Sequence, residues 1–224
     1  MKIKLCYPKI PNVLTLNFSL KKCVAFNKED GTLIHIVYNF DKGFSSFGTR
    51  RDRYTFNKNG LSQFHKEHNG LYGLSQALDK LLDYYPMDYY FKNAEPYCRA
   101  KEIILFAEFF GPNSFAGNHS ILDLKDERQL VLFDLQQDGI MTSPYQFIDD
   151  FASKNICSTP KIIYKGKYNG QLFRDVRNNI FNLKEGVVVK GVIDNKVYMV
   201  KIKTNSYEDK LKAHFKTSWE KYWE

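Results

Sequence analysis

Residues 28–31 read Lys-Glu-Asp-Gly and hold the first candidate for covalent chemistry, the amine of Lys28. The apolar stretch before Lys28 and the β-branched run after Gly31 predict a strand, a turn and a second strand, so the lysine would stand at the end of a rigid element. A lysine attacks only as the neutral amine, so its pKa must fall from about 10.4, and neighbouring cations or a metal ion would lower it. Taken alone, the segment also fits an ordinary hairpin turn with a solvated lysine.

A carboxylate inside an apolar strand is the second candidate. Glu108 lies among leucine, alanine and phenylalanine in residues 105–110. Burying it there is costly unless it has a partner, although strand alternation would equally turn it to solvent. Phe133 follows in a further apolar run, residues 130–135.

Charged residues also lie within or directly before the strands predicted in the last quarter of the chain. Glu185 precedes a glycine and a run of valines. Lys201 and Lys203 are two residues apart, so both project from one face of a strand, and paired cations suit a triphosphate. Each segment by itself fits a half-buried strand with solvated charges.

The order of these segments carries more information than any one of them. Read as Lys-x-Asp-Gly, a strand glutamate, Phe-Asp, Glu-Gly-Val-Val-x-Lys and Lys-x-Lys, they resemble the five signature motifs of the covalent nucleotidyltransferase superfamily. That superfamily holds DNA ligases, RNA ligases and mRNA capping enzymes. The resemblance runs over residues 28–203, most of the chain.

The resemblance implies roles around a bound nucleotide. Lys28 would attack the α-phosphate and form a phosphoramidate, with Glu29 and Gly31 beside the same nucleotide. Glu108 would hold the ribose hydroxyls, and Phe133 would stack on the purine.

The later motifs imply phosphate and metal binding. Glu185 would bind the catalytic metal or its water shell, which fits Mg²⁺, an ion that takes one or two carboxylates plus phosphates. Lys201 and Lys203 would contact the phosphates. Residues 46–51 resemble the small basic motif that follows the nucleophile in ligases, and there Arg50 would contact the nucleotide or a 5′-phosphate end.

Within the superfamily, the resemblance favours a minimal ATP-dependent RNA ligase that uses ATP with Mg²⁺ or Mn²⁺ and acts in RNA repair. Residues 204–224 are too few for the oligonucleotide-binding domain of DNA ligases and capping enzymes, and residues 111–119 and 207–212 resemble RNA ligase segments. The expected substrate is RNA with 5′-phosphate and 3′-hydroxyl ends, whether nicked duplex, broken loop or single strand. The alternatives are a minimal DNA ligase, a GTP-using capping-type enzyme, and a degenerate protein that only binds nucleotide or RNA.

The charge balance is consistent with a polyanionic partner. The formal net charge is +8 over 224 residues, which favours such a partner only modestly. Arg51, Lys165 and Lys167 are candidates for RNA binding, and Tyr164 and Tyr168 between basic residues would stack on exposed bases. A merely solvated surface is the alternative for this second run. A separate RNA-binding protein is a further possible partner.

Composition indicates a soluble, cytoplasmic or intracellular protein. The four cysteines form no Cys-x-x-Cys pair, the five histidines show no metal-ligand spacing, and no apolar run reaches transmembrane length. The N-terminus lacks the apolar stretch of a signal peptide, and no membrane contact is expected.

Strands and helices are predicted without βαβ regularity, which indicates α+β with two largely antiparallel sheets and flanking helices. The expected architecture is one nucleotidyltransferase (ATP-grasp-like) domain over residues 1–224, ending in a short helix at 205–224. Period-2 runs predict strands at residues 32–39, 44–51, 102–110, 129–135, 186–192 and 196–203. Helical spacing predicts helices at residues 61–85, 145–154 and 207–223.

Overall fold

The computed structural model describes residues 7–13, 20–83 and 86–223, which form two compact units. Among the described residues, the first unit contains Tyr7 and residues 31–83, 86–142 and 146–159, and the second contains residues 8–13, 20–30, 143–145 and 160–223. Cys6 and Tyr85 lie outside the described residues.

The strands, in chain order, are β1 (Cys23–Lys28), β2 (Thr32–Asn39), β3 (Gly43–Gly48), β4 (Tyr54–Thr55), β5 (Glu102–Phe110), β6 (Gln129–Gln137), β7 (Ile140–Met141), β8 (Ile162–Gly166), β9 (Gly186–Ile193) and β10 (Lys196–Lys203). The α-helices are α1 (Lys58–Glu67), α2 (Leu74–Asp83), α3 (Met87–Asn93), α4 (Pro144–Phe147), α5 (Gly170–Arg177), α6 (Asn205–Phe215) and α7 (Glu220–Trp223). Short 3₁₀ turns cover Tyr97–Arg99, Ile121–Leu124 and Lys216–Ser218.

The first unit is built on a six-stranded sheet in the order β4-β3-β2-β5-β6-β7, with every pair antiparallel. Strand alternation gives the sheet two faces of different character. One face carries buried apolar residues such as Phe47, whose ring centre lies 5.4 Å from that of Phe64 in α1. Glu108 and His35 point to the other face, where Leu33 faces Glu108 and Phe106 faces His35 in the register.

The second unit is built on a four-stranded sheet in the order β10-β9-β1-β8, again antiparallel throughout. Its apolar face packs against α5, where Val187 and Val189 of β9 join Leu172 and Val176 in one core. Asn169 starts α5 by accepting a hydrogen bond from the backbone N–H of Leu172, a common N-cap arrangement. In the same way, the side chain of Thr204 starts α6 by accepting a hydrogen bond from the backbone N–H of Tyr207.

The α+β fold with two antiparallel sheets and several helices confirms the sequence prediction. Three helices differ from it. The helix predicted over residues 61–85 is two helices, α1 and α2, separated by a turn at residues 68–73. The helix predicted at 145–154 is a short α4 followed by a π-helical turn, Ile148–Ala152. The helix predicted at 207–223 breaks at Lys216, whose φ is +48°.

Two of the three described cysteines are buried. Cys23, Cys98 and Cys157 are free thiols, and burial raises the pKa of Cys23 to about 11 and that of Cys157 to about 12. These two thiols are therefore unreactive at neutral pH. None of the described helices is long and apolar enough to cross a membrane.

Candidate active site

Three strand ends bring charged residues together on one face of the four-stranded sheet. Lys28 at the end of β1 pairs with Gly186 at the start of β9, which in turn pairs with Lys203 at the end of β10. Glu185 immediately precedes Gly186. Nζ of Lys28 lies 2.8 Å from Oε2 of Glu185, and Nζ of Lys203 lies 3.1 Å from Oε1 of the same carboxylate. We call these three residues the lysine–glutamate cluster.

Gly186 allows the strands to approach closely at this point. A Cβ atom there would lie 2.1 Å from the carbonyl oxygen of Ile202, far inside contact distance. Any other residue would push β9 away from β10 next to Glu185. The glycine that follows the glutamate in the sequence therefore has a packing reason.

The charges in the cluster depend on one another. Burial alone would raise the pKa of Glu185, but the ammonium groups of Lys28 and Lys203 outweigh that effect and hold the pKa below its ordinary value. Burial lowers the pKa of Lys203, with Glu185 opposing this and Lys28 adding to it.

Exposure separates the members of the cluster. The side chains of Glu185 and Lys203 are each 3% exposed, whereas that of Lys28 is 24% exposed. Lys28 is the member of the cluster that solvent and a ligand reach most easily, as a nucleophile requires.

Lys201 shares a sheet face with Lys203, as their spacing predicted. It pairs with Val188 of β9, two residues along from the pair formed by Gly186 and Lys203. The residue is buried, and its backbone N–H and C=O bond to Pro11 and Val13 at 3.0 Å each. The segment before β1 therefore runs along β10 and holds this strand in place.

Asp30 and Glu29, which follow the proposed nucleophile, have different surroundings. Asp30 is buried, and its Oδ2 accepts a 2.9 Å hydrogen bond from the hydroxyl of Tyr207 in α6. Glu29 accepts a hydrogen bond from the side chain of Asn27. Burial raises the pKa of Glu29, with Lys184 opposing.

Tyr207 is a site residue that sequence reasoning missed. It is separated from Asp30 by 177 positions, and its ring centre lies 5.1 Å from Nζ of Lys203. The available signal was its place at the start of the segment 207–212, which the sequence related to RNA ligases.

In the first unit, Glu108 has a partner instead of being simply solvated. It is half-buried in β5, and its Oε1 accepts a 3.1 Å hydrogen bond from the backbone N–H of Gly31. A Cβ atom on Gly31 would lie 2.3 Å from the carbonyl oxygen of Phe109. Glycine is needed here because the backbone passes so close to β5.

Phe133 stands at an irregularity between β5 and β6. Leu132 pairs with Ala107 and Asp134 pairs with Phe106, so Phe133 is the extra residue of a bulge. Bulges commonly re-aim a side chain near functional sites. Phe133 is half-buried and presents its ring to another aromatic residue.

That aromatic residue is Tyr7, which the sequence did not single out. Its ring lies edge-on to Phe133, with centres 5.2 Å apart, and its hydroxyl donates a hydrogen bond to the buried carboxylate of Asp134. Burial raises the pKa of Tyr7 well above its ordinary value; Asp134 and Glu108 add to this and Arg50 opposes it. Within the first unit, Glu108 and Arg50 therefore act electrostatically on the tyrosine that touches Phe133.

The residues proposed for RNA binding are mostly at the surface. Arg50, Arg51, Lys165 and Lys167 are exposed. Tyr168, in contrast, is buried in the core of the second unit, so its prediction as a base-stacking residue was wrong: its ring packs on apolar side chains.

Side-chain hydrogen bonds hold the loop after β5 in place. The buried carboxylate of Asp123 accepts hydrogen bonds from the backbone N–H groups of Asn113, at 2.9 Å, and Ser120, at 3.2 Å. Nε2 of His119 lies 2.9 Å from the hydroxyl of Thr32, the residue after Gly31. Residues 111–119 are thus tied to the start of β2.

The described residues, 7–13, 20–83 and 86–223, contain no group of three or more histidine, cysteine, aspartate or glutamate side chains arranged to hold a metal ion. Glu185 nevertheless fits the chemistry of Mg²⁺ in a phosphate complex. Each of its oxygens accepts one lysine and keeps a second lone pair. One carboxylate is enough when phosphates and water complete the shell.

Comparison with known proteins identifies the family of this chain. The sequence model of the family described as RNA ligase matches residues 21–203, a span that contains both lysine motifs. The chain therefore belongs to the RNA ligase family. No curated protein matches the chain.

Solved structures share the fold at low sequence identity. An archaeal ATP-dependent RNA ligase is 13% identical, with a TM-score of 0.56. The match covers 95% of this chain and 52% of the ligase chain. A Naegleria gruberi RNA ligase mutant with ATP and Mn is 16% identical with a TM-score of 0.53, covering 85% and 52%. A putative ATP-dependent DNA ligase from Aquifex aeolicus is 16% identical with a TM-score of 0.51, covering 96% and 56%. The chain therefore spans about half the length of these ligases.

Proposed function

We propose that this protein is an ATP-dependent RNA ligase that joins 5′-phosphate and 3′-hydroxyl RNA ends through an AMP group carried on Lys28. The observation that carries the proposal is the 2.8 Å contact between Nζ of Lys28 and Glu185 at the junction of β1 and β9. It unites the proposed nucleophile with the carboxylate of the fourth motif. Family membership supports RNA as the substrate class.

The proposed reaction has three balanced steps. Lys28 first loses its ammonium proton; the neutral amine then attacks the α-phosphorus of ATP, a P–N bond forms, the P–O bond to pyrophosphate breaks, and the nitrogen releases a second proton to solvent. An oxygen of the RNA 5′-phosphate then attacks the same phosphorus and releases the lysine amine. Finally the RNA 3′-hydroxyl, losing its proton, attacks the 5′-phosphorus, so that a phosphodiester forms and AMP leaves.

The residues of the second unit have distinct tasks in this scheme. Glu185 sits against Nζ of Lys28 and orients the amine before attack. Lys201 and Lys203 offset the negative charge that develops on the phosphates. A divalent ion held by Glu185 would add positive charge that offsets the negative charge on the pyrophosphate leaving group.

The residues of the first unit are proposed to recognise the adenosine. Glu108 binds the ribose hydroxyls, and the ring of Phe133 stacks on the adenine. Arg50 contacts the nucleotide or the RNA 5′-phosphate, and the exposed Arg51, Lys165 and Lys167 contact the RNA backbone.

A labelling experiment tests the proposal. The protein is incubated with Mg²⁺ or Mn²⁺ and ATP labelled at the α-phosphate, and an acid-stable adduct is sought on a gel. Lys28→Ala and Lys28→Arg should abolish the adduct; Lys28→Arg keeps a positive charge facing Glu185 and so separates chemistry from folding. Lys21→Ala, at an exposed lysine near β1, is the matched control and should label normally.

The other outcomes distinguish the alternatives. Labelling by GTP in preference to ATP would indicate a capping-type enzyme, and sealing of DNA nicks without RNA joining would indicate a DNA ligase. An adduct that persists at the wild-type level in Lys28→Ala would remove Lys28 as the nucleophile. A folded wild-type protein that binds nucleotide without any adduct would indicate a binding protein.

A further inference from the structure

The ammonium group of Lys203 is enclosed by the segment that follows β10. In addition to Glu185, Nζ of Lys203 donates a 3.2 Å hydrogen bond to the carbonyl oxygen of Tyr222. The ring centres of Tyr207 and Trp223 lie 5.1 and 5.2 Å from the same nitrogen. A lysine of the fifth motif therefore lies in contact range of two aromatic rings.

These rings stabilise the ammonium group of Lys203 in its buried position. Burying an ammonium group is costly unless opposite charge compensates it, and the one carboxylate of Glu185 is shared between Lys28 and Lys203. Asp30 adds only a weaker attraction to Lys203. The negative faces of aromatic rings attract a cation, most strongly when water is excluded, and so add to the stabilisation that Glu185 provides.

Trp223 is anchored independently of its indole ring. Its carbonyl oxygen accepts a 2.9 Å hydrogen bond from the side chain of Asn12, beside β10. Its ring also lies 5.7 Å from the guanidinium of Arg177, which bonds to the carbonyl oxygen of Lys203 at 3.1 Å. The backbone anchor would survive a change of side chain, so the ring can be tested without detaching the segment.

We propose that Trp223 is a positioning residue for the adenylation step: its ring holds the ammonium group of Lys203 against Glu185, and so fixes the carboxylate that faces Lys28. This inference rests on the proposed function. Trp223 acts through Lys203 and does not itself touch the nucleotide. Tyr207 contributes to the same hold, but its hydrogen bond to Asp30 makes it a less specific target.

A ring that blocks the site and a ring that positions Lys203 predict opposite changes in the adenylation rate. If the ring only covered Lys203 and blocked ATP, its removal would speed adenylation. If the ring positions Lys203, its removal slows the step at saturating ATP, because an interaction needed in the transition state is lost.

The experiment compares wild type with Trp223→Phe, Trp223→Leu and Tyr198→Leu. Phe keeps an aromatic face, Leu keeps apolar bulk without one, and Tyr198 is an exposed aromatic residue of β10, the strand that carries Lys203. Thermal unfolding verifies that each variant folds. Acylation of Lys203 by a water-soluble amine-reactive ester, followed by peptide mass spectrometry, reports the hold on Lys203 without ATP. Single-turnover adenylation gives the rate at saturating ATP and the half-saturating ATP concentration.

In Trp223→Leu we expect Lys203 to be acylated several-fold faster and adenylation to be about tenfold slower, the size of a desolvated cation–π contact. Half-saturating ATP should stay within about twofold. Trp223→Phe should recover most of both properties, and Tyr198→Leu should match wild type.

An adenylation rate in Trp223→Leu that equals or exceeds wild type, or a loss that Tyr198→Leu shares, would overturn the positioning role. A wild-type protein that forms no adduct would count against the proposed function instead. In that case, faster acylation of Lys203 in Trp223→Leu would still establish the hold of the ring on this lysine.

Discussion

One carboxylate serves two ammonium groups in the lysine–glutamate cluster, and the consequences of changing Glu185 follow from that sharing. Lys28 has partial access to solvent, but Lys203 is almost fully buried. Removing the carboxylate therefore leaves a buried cation without its main partner, which typically costs about 3–5 kcal/mol.

We expect Glu185→Ala to lose adenylation and also to unfold at a lower temperature, for that reason. Glu185→Gln keeps the shape and one acceptor oxygen, so it should fold more stably while still requiring far more divalent metal for labelling. Metal titration of adduct formation, with thermal unfolding in parallel, measures both effects. An unchanged metal requirement in Glu185→Gln would contradict the proposal that Glu185 binds the metal.

Phe133 gives a second prediction at the scale of single residues. Phe133→Leu should weaken ATP binding by about 1–3 kcal/mol, the value of one base stacked on an aromatic ring, with little change in the rate at saturating ATP. Phe133→Tyr keeps the ring and should bind ATP nearly as wild type. Direct titration with ATP decides the matter: an affinity within twofold of wild type in Phe133→Leu would assign the ring to packing against Tyr7 alone.

Motif resemblance predicted Lys28, Glu185 and Lys203 as site residues because each belongs to a short sequence motif that can be recognised without knowledge of the fold. It did not predict that the rings of Tyr207 and Trp223 lie beside the ammonium group of Lys203. A single aromatic residue in a charged helical segment has no local spacing that distinguishes a cation–π contact from an ordinary apolar face.

At the scale of elements, strands were predicted better than helices. The hairpin of β9 and β10 follows from alternation and an Asp-Asn turn, and its register alone aligns Gly186 with Lys203. The break at Lys216 has no comparable signal, since a left-handed residue after a helix is usually glycine or asparagine. The turn between α1 and α2 did have one, an Asn-Gly pair at residues 69–70, which the strong leucine spacing outweighed.

Strand β2 carries a buried histidine with consequences for stability. Burial, helped by the charge of Arg53, lowers the pKa of His35 to about 4, whereas histidine in an unfolded chain titrates near about 6.5. The folded-state pKa is the lower one, so the unfolded chain binds a proton between these values that the folded chain does not. Stability contributed by the neutral histidine is therefore present above about pH 6.5 and is lost as pH falls toward about 4.

We expect the free energy of unfolding to fall by about 2 kcal/mol from this histidine between pH 7 and 4.5. Urea unfolding across that range should show a shallower decline for His35→Leu than for wild type. His214→Gln, at an exposed position of α6, should decline as wild type does. His119, whose pKa burial also lowers to about 4, acts in the same direction, so a smaller slope remains in His35→Leu. Equal slopes for His35→Leu and wild type would contradict the assignment.

At the scale of the whole molecule, the net charge of +8 bears on RNA and much less on ATP. Binding of single-stranded nucleic acid loses affinity with salt at a logarithmic slope of about −0.7 for each phosphate neutralised. Contacts by Arg51, Lys165 and Lys167 would therefore give a slope of about −2, or a loss of roughly twentyfold between 50 and 200 mM salt. Adenylation needs only ATP and metal, so we expect it to decline much less over the same range.

The double variant Lys165→Ala with Lys167→Ala tests whether these exposed lysines of the second unit belong to that interface. We expect it to bind and seal 5′-phosphorylated RNA more weakly at low salt, with the salt slope reduced in magnitude by about 1.4 and Lys28 adenylation unchanged. Lys125→Ala with Lys196→Ala removes the same charge from two other exposed positions and serves as the control. RNA binding measured by fluorescence anisotropy over a salt series gives the slope directly. If both double variants lose affinity equally with parallel slopes, general surface charge accounts for RNA binding and the lysines near β8 form no defined interface; if only the first loses it, the RNA backbone lies along β8.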